Sequence, residues 1–240
     1  AQGIGLYRVI NGIINRISAS IKAIPQIGIE RQTTEAVFES TLGGGVGSAA
    51  AFKAISLEAE RTGIAVGTLR ETFRNLNASM SLAGEKSDTV WKVFSNINTV
   101  STALHLTAEK TSLVFLALAQ IFNKSKVQSE ELVKQLGNLL PGAFASFAAA
   151  NKGVFSSTQD LIEQMAAGNV RAHETVENFT EYLATRFAGA FALASTGLQA
   201  NIGRMETSFT ELGEAIFEVT KGPMVGFVKG LTSIVHKMTE

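Results

Sequence analysis

The chain has 240 residues, of which 45% are apolar and 18% charged, with 21 Lys and Arg balanced by 21 Asp and Glu and no cysteine. This composition is too apolar for a disordered chain and lacks the basic excess of a nucleic-acid binder. It also excludes disulfide scaffolds and thiolate metal sites. With 3 Pro against abundant Ala, Leu, Ile and Val, it favours helix throughout.

The first residues, AQGIGLYRVI, carry neither an initiator Met nor a signal-peptide layout and read as mid-helix, so a piece of a longer protein is expected. Two uncharged runs of 17 residues, 135–151 and 187–203, contain Gly and polar residues. A spanning helix needs about 20 mostly apolar residues, so no transmembrane helix is expected.

In residues 4–24, Tyr7, Ile10, Ile14, Ile17, Ile21 and Ile24 are spaced 3, 4, 3, 4, 3. This 3.5-residue repeat is a coiled-coil seam, and isoleucine at both seam positions favours trimers or tetramers over dimers. The same stripe suits a helix packed on its own domain. Arg8, Arg16 and Lys22, with no acid before Glu30, also leave a membrane-surface helix open. Pro25 is expected to end the helix. Residues 26–30 alternate like a short strand, and residues 31–42 suit a helix. The glycines at 43–45 and 47 read as a flexible connection, since no Lys-Ser/Thr follows at the phosphate-loop position.

From Ser48 onward the pattern predicts short helices over 48–62, 66–83, 88–104, 108–123, 130–139 and 143–151. Ser87, Thr107 and Ser129 are candidate N-caps. Glu130 and Glu131 follow Ser129 in the first turn, where acids suit the helix dipole. Gly63, Gly84 and the pair Pro141-Gly142 act as stops. Around 127–132, 154–161 and 170–176 an apolar residue precedes a polar cap and another returns inside the helix, the hydrophobic-staple arrangement. Gly153 and Gly168 precede the last two.

Near the end, Leu198, Ile202, Met205, Phe209, Leu212, Ile216 and Val219 form a second heptad stripe. Gly222-Pro223 is expected to break it, with Phe227, Leu231, Ile234 and Met238 continuing beyond. Packing of this stripe on the domain is the alternative to self-association. The expected fold is all-α: a compact domain of short helices over 26–195, flanked by a heptad-patterned, coiled-coil-like helix over 1–25 and long amphipathic helices over 196–240.

Chemistry finds little support. His105, His173 and His236 are distant in sequence and fit no metal-ligand spacing, so no metal or cofactor is expected. No GxSxG occurs. Glu39-Ser40 matches the start of a lytic transglycosylase site only superficially, because the nearest companion block, Ser195 to Gln199, lies far downstream. No catalytic residue is expected, and Trp91 reads as helix core. Lys124 and Lys126 flank a loop followed at once by acids, so no specific nucleic-acid site is expected.

Residues 117–183 nevertheless carry an ordered set of motifs. They are Ala117-Leu-Ala-Gln120, Lys126-Val-Gln-Ser-Glu-Glu-Leu132, Gln135-Leu-Gly and Leu140-Pro-Gly-Ala143, then Phe147 to Gly153, Asp160-Leu161 and Met165 to Val170. With Asn201-Ile-Gly-Arg204 opening the last helix, this order resembles the helical domain of bacteriophage tail tape measure proteins, over about residues 30–220. The residues that carry the resemblance are Gln120, Ser129, Glu130, Glu131, Leu132, Gln135, Pro141, Gly142, Gly153 and Gly168, as structural rather than catalytic positions. The turn at 151–156 is slightly longer than the family pattern.

The resemblance implies a structural, non-enzymatic protein that sets tail length inside the tail tube. It implies coating by assembly chaperones in the host cytoplasm, contact with tube and tip proteins in the virion, and release ahead of DNA through the host envelope. The isoleucine seam adds a small homo-oligomer, a homotrimer, to that expectation. The alternatives are an envelope-active module, membrane-permeabilising or peptidoglycan-degrading, and a generic coiled-coil scaffold.

Overall fold

A computed structural model describes residues 23–42 and 44–239, with side chains through residue 223. Among the described residues every regular element is helical, and the fold is all-α. The helices are α1 (residues 23–41), α2 (Gly45–Thr62), α3 (Val66–Leu82), α4 (Ser87–Ala103) and α5 (Ala108–Asn123). A π-helical segment (Glu130–Leu136) then runs into α6 (Gly137–Leu139). The chain continues through α7 (Ala143–Ala150), α8 (Thr158–Ala167), α9 (Ala172–Ala194) and α10 (Leu198–Thr239).

The chain divides into two compact units, Val37–Met205 and a second built from Ala1–Ala36 with Glu206–Glu240. In the larger unit α4 lies along α9 and α3 along α5. The sequence dictates these faces. Val90, Val93, Phe94, Ile97 and Val100 recur at helical spacing on α4, and Leu69, Phe73, Leu76 and Met80 do so on α3; all are buried. Fully burying each such side chain contributes about 1.5–3 kcal/mol. The aromatic residues meet in one cluster. Phe73 stacks on Trp91 at 4.3 Å and meets Phe94 at 5.1 Å and Phe38 at 5.6 Å, so Trp91 belongs to the packed interior.

Two caps fix helix starts as their sequences suggest. The Thr107 hydroxyl accepts from Lys110 N–H at 3.3 Å and opens α5. The Ser157 hydroxyl accepts from Asp160 N–H at 3.1 Å, while the Asp160 carboxylate accepts from Ser156 N–H at 2.9 Å. That reciprocal pairing satisfies donors that a helix start leaves unpaired. The Ser156 backbone bond, with the Ser156 hydroxyl behind it, holds the Asp160 carboxyl below its ordinary value.

Other local expectations are corrected. Residues 23 and 24 are already helical ahead of Pro25, and residues 26–30 continue the helix rather than forming a strand. α10 likewise passes through Pro223 without ending. A helical proline removes one hydrogen bond and crowds one carbonyl, and around Pro223 the helix continues on both sides. Ser87 is the first residue of α4, not its cap, and Lys86 occupies the cap position with no side-chain bond. Ser129 is itself helical (φ −59°, ψ −28°) and caps nothing through its side chain. The predicted α-helix over 130–139 is π-helical through Leu136.

In the smaller unit, residues 23–36 pair with α10 in the opposite sense. A Cβ on Gly28 would fall 2.2 Å from the Phe217 ring, and Arg31 Nη1 donates to the buried Glu214 carboxylate at 2.5 Å. Ile24 and Ile27 are half-buried. Tyr7, Ile10, Ile14, Ile17 and Ile21 lie outside the described residues.

Candidate functional site

The features that distinguish this chain are joints between helices. The first sits where α10 begins. Gly63 ends α2 in the left-handed region (φ 71°), which glycine adopts without steric penalty. Against it lies α10: a Cβ on Gly203 would stand 1.9 Å from the Gly63 carbonyl oxygen, and a Cβ on Gly63 would stand 2.3 Å from that of Ala200. Two backbones therefore touch where any side chain would separate them. Arg204, the next residue, donates through Nε to Glu60 O and through Nη2 to Ser195 O, both at 2.8 Å. These are carbonyls at the C-terminal ends of α2 and α9, which helix geometry leaves short of donors, and a cation also suits the helix dipole there. Gln199 Nε2 adds a bond to Leu106 O at 3.2 Å.

Behind this clasp is a polar seam between α2 and α4. Arg61 grips Glu58 through two bonds of 2.7 Å, Asn98 Nδ2 reaches Glu58 at 3.2 Å, and Arg61 Nη2 donates to Thr99 at 3.0 Å. The forked guanidinium makes the pair bidentate. It covers a buried carboxylate that would otherwise be costly.

The second joint carries the sequence motif. After α5 the chain turns through Ser125 (φ 54°) and forms an antiparallel bridge from Lys126 to Arg171, with Val127 N–H donating to Val170 O at 2.8 Å. The following residues divide by face. Glu130 is exposed and pairs with Lys134 at 2.8 Å. Glu131 is fully buried and pairs with Lys124 at 2.5 Å. Leu132 and Leu136 enter the core, while Gln120 and Gln135 are half-buried. The segment ends as Leu140 adopts the extended conformation (φ −115°, ψ 103°) that a residue before proline favours. Pro141 and Gly142 are exposed at the turn, Gly153 is exposed, and Gly168 ends α8. The motif residues thus brace the α5-to-α9 connection.

The Lys124–Glu131 pair offers a direct measurement. Lys124→Met is expected to cost about 2–3 kcal/mol. That is less than the ~3–5 kcal/mol for breaking a fully buried pair, because the Lys124 side chain is 44% exposed and reaches water. Glu131→Gln in the same background should recover most of the loss. Urea titration checks both; an unchanged midpoint for Lys124→Met would show that the pair does not hold the joint.

The C-terminal heptad stripe is placed on the outer side of α10. Leu198 (78%), Leu212 (56%) and Val219 (80%) are exposed, Ile216 is exposed, and Ile202, Met205 and Phe209 are half-buried. The buried positions are instead Ala200, Gly203 and Thr207, then Gly213, Glu214 and Phe217. The signal that could have marked the inward face was the set of glycines inside a helical pattern, which often indicates close backbone approach.

Reactive groups stay apart. His105 and His173 are exposed on different elements, and His236 lies beyond the described side chains. Among the described residues no group of three or more His, Cys, Asp or Glu could hold a metal ion. Burial pushes the Glu85 carboxyl above its ordinary value, with His173 opposing and Glu177 adding to the shift. A cleft of about 510 Å³ over α7 and α9 is lined by Asn151, Val154, Asn178, Glu181, Tyr182 and Thr185. Among the described residues no helix is long and apolar enough to cross a membrane.

No curated protein and no solved structure matches the chain. A family model described as "Tape measure protein" matches residues 22–218, a span that takes in the bridge, the buried Glu131 and the Gly63–Gly203 clasp. With most of its length so matched, the chain belongs to the tape measure protein family and has a structural role in the phage tail.

Proposed function

We propose that this protein sets tail length from inside the tail tube and is released to assist DNA delivery through the host envelope. The observation that carries the reading is α10, a 42-residue helix in a chain of this family. A helix advances about 1.5 Å per residue, so residue count becomes distance. Tube and tip proteins and assembly chaperones are the partners this role calls for. Inserting eight heptads between residues 224 and 239 is expected to lengthen assembled tails by roughly 80 Å, measured on electron micrographs. Tails of unaltered length would reject the ruler.

The same helix supports self-association. Leu212, Ile216 and Val219 form an exposed apolar row, and the isoleucine seam at 7–24 has the spacing of a trimeric coil. Ile14→Asn with Ile17→Asn is expected to lower the oligomeric state, measured by light scattering. A parent chain that is monomeric at the outset would sink the trimer.

A further inference from the structure

Three residues, 195–197, separate α9 from α10. Most turns elsewhere in the larger unit use a left-handed residue: Gly44, Gly63, Gly84, His105, Ser125, Gly142 and Gly168 all have positive φ, and the α7–α8 connection is the exception. The α9–α10 corner has none. Ser195 is in the right-handed helical region (φ −65°, ψ −16°). The bend is closed by i→i−3 bonds, Thr196 N–H to Leu193 O at 3.4 Å and Gly197 N–H to Ala194 O at 3.0 Å. Such 3₁₀-type turns differ from the α-helix in tightness, not in hand. Converting this corner to α-helix therefore requires no residue to cross from positive to negative φ.

What keeps the corner bent comes from the first turns of α10. In an uninterrupted helix the carbonyls of Ser195 and Thr196 would accept from residues 199 and 200. Here side chains take that place: Arg204 Nη2 bonds Ser195 O at 2.8 Å, and Asn201 Nδ2 bonds Thr196 O at 3.2 Å and Gly197 O at 3.1 Å. The Gly63–Gly203 contact pins the same turns from the other side. Residues 188–190, 192 and 193 on α9 are exposed, so the end of that helix is held only through the buried Ala194 and through Phe191, whose ring Arg61 covers at 4.9 Å. Both helices are already formed, and joining them avoids the costly nucleation step.

We propose that the α9–α10 corner is a two-state joint. It is bent while the Arg204–Asn201–Gly203 clasp is closed. When the clasp opens it straightens into one helix from Ala172 to Thr239, roughly 100 Å long. Its use rests on the tail-tube reading: a narrow tube favours the straight form, and straightening adds reach without adding residues. The joint itself is a property of the chain and is tested apart from tails.

The test uses spin labels at His173→Cys and Met205→Cys, both in the larger unit, in the full chain, which has no native cysteine. A continuous helix puts these positions roughly 50 Å apart, and a bent corner brings them closer. Asn201→Ala with Arg204→Ala opens the clasp. Gly197→Ala disfavours the bend, where its Cβ would sit 3.2 Å from Ala194 O, and suits a helix. The parent is expected to show the shorter distance. The triple variant is expected to raise the ~50 Å population at least tenfold, with Trp91 emission unchanged. Gly197→Pro in place of Gly197→Ala should lower that population sharply, because a proline inside a helix removes one hydrogen bond and crowds the carbonyl four residues earlier. The joint is overturned if the long distance is missing from the triple variant, appears only with a shift in Trp91 emission, or is not reduced by the proline. Straightening in this assay, with tails unchanged by heptad insertion, would reject the ruler and leave the joint standing.

Discussion

Gly203→Ala is expected to destabilise the protein by about 2 kcal/mol, opposite in sign to the usual effect of this change inside a helix. Replacing an unconstrained helical glycine by alanine gains about 1 kcal/mol. At Gly203 the new Cβ would lie 1.9 Å from the Gly63 carbonyl oxygen and 2.9 Å from its carbon. The obstacle is backbone, so no rotamer change relieves it. Overpacking of this kind costs about 1–3 kcal/mol and occasionally more, which outweighs the propensity gain. Undocking α10 would also loosen the Arg204 bonds to Glu60 and Ser195. Gly189 on α9 is the control, since a Cβ there meets nothing within 4 Å and Gly189→Ala should stabilise by about 1 kcal/mol. Chemical unfolding of the two variants decides the matter. Equal stabilisation by both would show that α10 does not dock on the α2–α3 turn in solution.

Phe73→Ala is expected to cost about 4 kcal/mol, the largest effect of any single substitution considered for this chain. Phe73 is fully buried and sits among Phe38, Trp91 and Phe94. Truncation removes its transfer free energy and leaves a cavity that the surrounding rings cannot all fill. Against a typical total of about 5–15 kcal/mol, such a loss brings the domain close to unfolding at room temperature. Phe73→Leu keeps most of the volume and should cost well under half as much. The readout is intrinsic: Trp91 stacks on Phe73 and is the only tryptophan, so its emission reports the cluster during a urea titration. Coincident midpoints for the parent and Phe73→Ala would show that this cluster is not central to the core.

Much of the architecture could be read from residue order. The 3.6-residue spacing on α3, α4 and α5 announces helices with one apolar face, and the Thr107 hydroxyl announces the start of α5, whereas Ser87 and Ser129 cap nothing. These are local effects, fixed within one or two turns of chain. The order of motifs from Gln120 to Gly168 likewise identified the family, because it records the caps, stops and core contacts of successive turns.

The tertiary structure decided what depends on neighbours distant in sequence. A proline reads as a stop because its cost is local, yet residues 23 and 24 are helical ahead of Pro25 and α10 continues on both sides of Pro223. Periodicity on α10 gives one heptad stripe through Leu212, Ile216 and Val219, and nothing local says whether it faces inward. The choice of Gly213, Glu214 and Phe217 follows from Gly28 and Arg31, nearly two hundred residues earlier. Glu131 reads as a first-turn acid, but its burial depends on Lys124 coming round from the end of α5. The sequence by itself determined an all-helical chain of this family. Only the folded chain brought Gly63 against Gly203, because backbone contact leaves no trace in hydrophobic pattern beyond a missing side chain.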